Sequence, residues 1–382
     1  MFFNMALYIS LIIFGVGMIY KICGWFWKNV GVGQTGIQAP RRLVSASKSF
    51  VSMLFSPKIL TLLNTFLIDV LLQRRILKDR EDRTVWFMHL CIFAGFIFLL
   101  LFHTLDGIIT IRLFPEYQPT LNPFIFLRNF FGFLLIVGLV LAILRRTIFQ
   151  KANVKKGLMG FNVIILMLLV VGSGFLLEAT KISSYSIYQT MVEDYAGFEE
   201  QSELEALEAF WVSNFGVIST KARGPFSEDV LVEGRSVHED NCAACHSRPQ
   251  WAFVSYSLSR AASPWALGID KSEIHTLLWY IHFLICFFGL VCFPFSRLFH
   301  IFATPISVMV AQLTKPGTEN PANIATRQAI EVDGCKHGGA CHMRCPVRQM
   351  RQQRMEWTTQ FSPALEYVDE INWKDLGNRQ FE

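Results

Sequence analysis

The chain carries five stretches of about twenty apolar residues, near 4–26, 84–105, 124–144, 158–178 and 274–293. Each has the length an α-helix needs to cross the hydrocarbon core of a bilayer. The expected fold is an all-α membrane protein, a bundle of five transmembrane helices. A sixth apolar segment, Ile59 to Gln73, is shorter, holds Asn64 and Asp69, and runs into the charged stretch from Arg74 to Arg83. It reads as an amphipathic helix lying at the membrane surface. The opening residues, Met1 to Tyr20, have neither a basic start nor a small-residue cleavage site, so they are expected to stay as the first span.

The polar segments give direction. Ten Lys and Arg residues fall between Lys28 and Arg83, and Arg145, Arg146, Lys151, Lys155 and Lys156 follow the third span. The positive-inside rule places both segments in the cytoplasm. The connection from Asp106 to Pro123 has one Arg, which puts it outside together with the N-terminus and the long segment from Lys181 to Ser272. The organisation expected is a first span over 1–28, a cytoplasmic loop with the surface helix over 29–83, and spans two to four over 84–180. A periplasmic loop over 181–272, a fifth span over 273–310 and a cytoplasmic tail over 311–382 follow. The protein belongs on this reading to the cytoplasmic membrane of a bacterium-like cell.

Composition agrees, with 52% hydrophobic and only 17% charged residues, well away from a soluble domain. A formal charge of +5 sits in short clusters beside the spans and not along one soluble face, which argues against a nucleic-acid partner. Nine cysteines, an odd number scattered over spans, outer loop and tail, do not make a secreted disulfide framework. Cys23, Cys91, Cys286 and Cys292 lie in spans and read as small apolar packers.

Cys242-Ala243-Ala244-Cys245-His246 lies in the outer loop. Two thiols at this spacing form thioethers with haem vinyl groups, and the adjacent imidazole of His246 ligates the iron, so one covalent c haem is expected. Zinc would need further Cys or His ligands that this loop barely supplies. Met191, His238 and His275 are the candidates for a sixth ligand.

Helix two carries His89 and His103, fourteen residues apart, about 21 Å of rise and roughly 40° short of whole turns. Helix five carries His282 and His300, eighteen residues or five turns apart, about 27 Å. Because the helices run antiparallel, His103 is expected to meet His282 near the outer surface and His89 to meet His300 near the inner one. Two bis-imidazole sites then hold two b haems stacked across the bilayer. Gly95 and Gly289 would let a flat macrocycle approach the backbone, Pro294 would kink helix five before His300, and Arg297 would pair with a propionate. Asp106, Arg128, Glu178 and Lys181, near the outer site, read either as a quinone pocket or as propionate partners and interface anchors.

Trp86-Phe87-Met88-His89 followed by Gly95, then Gly174-Phe175-Leu176-Leu177-Glu178-Ala179, then Leu278-Trp279-Tyr280-Ile281-His282 continuing to Pro294 and His300, resemble a known family. It is the gamma subunit of respiratory nitrate reductase and its relatives, the membrane cytochrome b subunits of heterodisulfide-reductase-like complexes in sulfate reducers and methanogens. The resemblance implies two b haems on His89, His103, His282 and His300, electron exchange with a quinone such as menaquinone, and docking on a cytoplasmic iron–sulfur subunit. The large outer loop with its own CxxCH and the extended tail depart from the family. The loop suggests a branch that also exchanges electrons with a periplasmic cytochrome c.

The tail run from Cys335 through Gly338, Cys341 and Cys345 to Pro346 is the bacterial ferredoxin pattern with glycine in place of the second cysteine. Three thiolates would hold a three-iron cluster, or a four-iron cluster with His337, His342 or a partner's residue; the other reading is a relic loop with free cysteines. The function expected is a cytochrome b/c subunit of an anaerobic respiratory complex, an electron-transfer subunit with no catalytic residue of its own. A non-catalytic membrane anchor or a haem-based redox sensor is the alternative. An anchor has no need of four histidines at two matched depths, and a transporter would be expected to show an inverted repeat.

Overall fold

The computed structural model describes residues 1–28, 36–78, 83–148, 161–196, 200–313 and 320–334, and these are helical with no strand among them. In chain order the main helices are α1 (Phe2–Trp27), α2 (Ala39–Leu54), α3 (Lys58–Leu71), α4 (Arg83–Thr104), α5 (Phe124–Thr147) and α6 (Phe161–Ser183). They continue as α7 (Tyr185–Tyr195), α8 (Gln201–Asn214), α9 (Glu228–Asn241), α10 (Phe253–Ala262), α11 (Ile274–Cys292), α12 (His300–Leu313) and α13 (Pro321–Gly334). Among the described residues α1, α4, α5, α6 and α11 are long and apolar enough to cross a membrane. The protein is a multi-pass membrane protein. Helices α2 and α3 meet at 95°, and as one bent pair they would make a sixth span by length and composition.

The chain divides into two compact units, Met1–Gly15 with Arg75–Ser296 and Val16–Arg74 with Arg297–Glu382, so α1 contributes to both. In the second unit Trp25, Phe299, Ala303, Ala329 and Ile330 form the apolar core. The Trp25 indole donates to Asp333 at 2.8 Å. Arg42, fully buried, donates to the Lys28 carbonyl at 2.8 Å, to Thr326 Oγ1 at 3.3 Å and to the Trp25 carbonyl. A buried guanidinium needs such acceptors, since its desolvation is otherwise uncompensated.

In the first unit α4 and α5 approach each other on glycines. A Cβ at Gly95 would lie 2.7 Å from Leu135 Cβ and from the Phe131 carbonyl, and one at Gly138 would lie 2.7 Å from Ile92 Cγ1. Small residues let span backbones come close where lipid offers no hydrophobic drive. Gly95 therefore serves helix packing, which corrects the expectation that it opens space for a macrocycle. At Gly289 an added Cβ would meet Leu166 at ordinary contact, 3.7 Å.

The five-turn count from His282 to His300 is also overturned. Helix α11 ends at Cys292, a turn passes the buried Pro294, and a short 3-10 turn (Arg297–Phe299) precedes a new helix that begins at His300. Proline lacks the N–H that would continue the helical ladder. His89 and His282 lie in the first unit and His300 in the second. At the end of α4 the backbone widens to a π-helix over Leu100–Thr104, which turns His103 further from His89 than an unbroken α-helix would.

Outside the spans α7, α8 and α9 pack around a shared core of Tyr188, Leu207, Phe210, Trp211, Phe215 and Cys242. The α8–α9 contact closes on Gly234, where a Cβ would sit 2.1 Å from the Ala206 carbonyl oxygen and 2.8 Å from Phe210 Cβ. Gly234→Ala must push the two helices apart, at about 1–3 kcal/mol for an overpacked core. Thermal proteolysis of the purified chain is expected to cut this segment at lower temperature in the variant; equal midpoints would refute the packing.

Candidate redox site in the spans and the CxxCH segment

The CxxCH turn begins where α9 ends. The Cys242 amide donates to the His238 carbonyl at 2.8 Å, and the amides of Cys245 and His246 donate to the Cys242 carbonyl at 3.1 and 2.9 Å. One tight turn thus presents both thiols and the imidazole. Cys242 is buried against the aromatic core while Cys245 is exposed. Burial, and then the charge of Cys245, push the Cys242 thiol up to about 11. The His246 ring meets the Trp211 ring edge-on at 5.6 Å, and burial lowers its pKa.

His238 lies within the same aromatic wall, its ring 5.3 Å from Phe210, 4.9 Å from Phe215 and 5.7 Å from Trp211. Burial, helped by His246 and Arg248, brings it down to about 4, so the imidazole is neutral at neutral pH. Among the described residues three polar atoms here are buried with no hydrogen-bond partner: His238 Nδ1, Trp211 Nε1 and Tyr188 Oη. Met191 packs on this core as well. His275, the third candidate for the sixth position, stands at the start of α11 with a buried, unpartnered Nδ1.

The spans bring His103 and His282 together, with ring centroids 5.9 Å apart and planes inclined by 43°. Ser173 on α6 fixes the second ring. Its hydroxyl donates to the Val170 carbonyl at 3.0 Å, so its lone pair faces His282 Nδ1 at 2.9 Å and accepts from it. The proton on Nδ1 leaves the Nε2 lone pair available for a metal. A Cβ at Gly174 would meet His282 Cε1 at 3.2 Å, so this glycine makes room for the ring. Arg128 Nη2 contacts His103 Nδ1 at 3.2 Å. A guanidinium only donates, so Nδ1 accepts and the His103 proton sits on Nε2.

Three of the four charged residues near this pair have protein partners, Arg128 among them. Glu178 accepts from Asn129 Nδ2 at 2.8 Å and from the Ser255 hydroxyl at 2.5 Å, tying α10 to α5 and α6. Asp106 accepts from the Gly107 amide at 2.8 Å and lies 3.5 Å from the Tyr117 hydroxyl. In the second unit His300 Nδ1 bonds the Arg297 carbonyl, which again places the proton on Nδ1. Cys335, Cys341 and Cys345, with Gly338, His337 and His342, lie outside the described residues. Ser173 and Gly174 had no signal of their own in the sequence: both are ordinary small residues of a span until a histidine from another helix is seen against them.

No family model matches the chain, and no solved structure matches it. Over 127 residues, 31% of its length, it is 32% identical to one of the subunits of dihydromethanophenazine:CoB--CoM heterodisulfide reductase from Methanosarcina thermophila, covering 47% of that protein. Over 112 residues, 25% of its length, it is 26% identical to an EtfAB:quinone oxidoreductase of Syntrophomonas wolfei, covering 15% of that protein. The chain thus spans less than half the length of either relative. Five apolar helices and these partial similarities support a membrane subunit of a redox complex.

Proposed function

We propose that the chain is a membrane cytochrome subunit with one covalent c haem on the outer face and two b haems in the spans. It passes electrons between a periplasmic cytochrome c or menaquinone and a cytoplasmic iron–sulfur subunit of the heterodisulfide-reductase type. The observation that carries this reading is the His103–His282 pair. Its 5.9 Å ring separation is close to the roughly 6 Å that a metal held about 2 Å from one nitrogen of each ring requires. Haem iron supplies the reversible one-electron change.

The chain's own residues do the rest. Ser173 holds His282 in the tautomer that offers Nε2, and the Arg297 carbonyl does the same for His300. His103 reaches that tautomer when its proton moves to Nδ1 and Arg128 turns away, which frees a two-pronged cation for an acidic group such as a propionate. In the CxxCH segment Cys242 and Cys245 would form the two thioethers and His246 would ligate the iron. The unpaired atoms of His238, Trp211 and Tyr188 cost about 1–3 kcal/mol each until something polar meets them, and a seated macrocycle would supply that. The redox partners are supported by the relatives' names, a heterodisulfide reductase and a quinone oxidoreductase. Cys335, Cys341 and Cys345 are proposed to hold an iron–sulfur cluster on the cytoplasmic side, where the basic loops also lie.

A reduced-minus-oxidised spectrum of the purified chain, with pyridine haemochrome quantification, is expected to give one c haem for every two b haems. A preparation without haem bands would overturn the reading.

A further inference from the structure

The segment between Leu113 and α5 touches both halves of the proposed redox site. Thr120 Oγ1 donates to the Cys245 carbonyl at 2.6 Å, the Ser247 amide donates to the Thr120 carbonyl at 3.1 Å, and the Asn122 amide donates to Ser247 Oγ at 2.9 Å. The residues on either side of His246 are therefore both held by this loop. One residue back, the Pro119 carbonyl accepts from Arg128 Nη1 at 3.0 Å, while Nη2 of the same guanidinium contacts His103. Two prongs of one rigid fork thus join the loop to the histidine pair, a geometry that a single-point cation does not reproduce.

From this chain of contacts we infer that residues 119–122 and Arg128 form a strap that sets the CxxCH turn against the His103–His282 pair, with Arg128 as its positioning residue. The inference rests on the proposed c and b haems only for its purpose; the strap itself consists of protein contacts. Electron exchange between the two irons moves one electron, oxidises one iron, reduces the other and transfers no atom. What the chain must supply is a fixed separation and orientation, and these bonds run directly from the CxxCH turn to the loop that leads into α5. If the proton of His103 moves to Nδ1, Arg128 gives up its bond to His103 and keeps its hold on Pro119, so in loaded protein the strap reaches the pair through Arg128 and the start of α5.

The test uses the full chain in two forms. In haem-free protein, made in a host starved of haem, Arg128→Gln is expected to speed hydrogen exchange at the Ser247 and Asn122 amides, with Arg128→Lys intermediate. In loaded protein, Thr120→Val is expected to keep both haem types by pyridine haemochrome yet to slow c-to-b electron exchange about fivefold. Arg128→Gln is also expected to lower the outer b haem potential, since the lost positive charge favoured the reduced iron. Unchanged exchange at both amides, or unchanged transfer rates in variants that retain both haems, would overturn the strap. Wild-type protein lacking haem would sink the functional reading instead, and the amide-exchange result would still judge the strap.

Discussion

Removing both thiols of the CxxCH turn, in Cys242→Ala/Cys245→Ala, is expected to abolish haem-peroxidase staining of the chain in a denaturing gel, where the wild type is expected to stain. Thioether bonds survive denaturation and axial bonds do not, so the stain reports covalent attachment alone. Cys242 lies in the aromatic core beside Trp211 and Cys245 on the open side of the same turn, so each single variant keeps one thiol at its place and partial staining. The single variants also control for folding, because replacing a small buried thiol with alanine removes little volume. A stained double variant, or an unstained wild-type band, would defeat the proposal of a c haem.

His282→Ala is expected to take the b haem content from two to one and to leave covalent haem unchanged. On the proposed reading the site loses the imidazole that would hold the iron, which Ser173 orients and for which Gly174 makes room, and alanine leaves Ser173 facing an empty space. Gly174→Leu fills the same place from the other side and is expected to have a similar effect while every histidine remains. His300→Ala should spare the outer site, since His300 belongs to the other unit. Retention of both b haems in His282→Ala, read by pyridine haemochrome, would show that the ligand is assigned to the wrong residue.

Hydropathy located the spans within a few residues, because a bilayer of fixed thickness demands a fixed run of apolar residues and little else competes with that demand. The meeting of His103 with His282 was legible for a related reason: depth in a membrane follows from position along a span. Rotation was less legible. The π-helical turn at Leu100–Thr104 and the break after Cys292 both alter which face a residue takes, and periodicity assumes an unbroken helix. Gly95 was misread because a small residue in a span serves a neighbouring helix as readily as a ligand, and only the position of α5 decides. The bonds of Thr120 to Cys245 and Ser247 join residues 125 or more positions apart through ordinary loop side chains and backbone. No local pattern announces such a pairing.

The contact between Arg128 and His103 bears on how the protein is made. Both residues lie in the first 128 positions, whereas His282 follows His103 by 179 residues (282 − 103). At a synthesis rate of about 5–20 residues per second, roughly 10–40 s pass between the emergence of the two histidines. During that interval a lone imidazole at the edge of a span would be a poorly solvated polar group. Arg128, on the very next span, is the donor that would meet its Nδ1 before His282 is made.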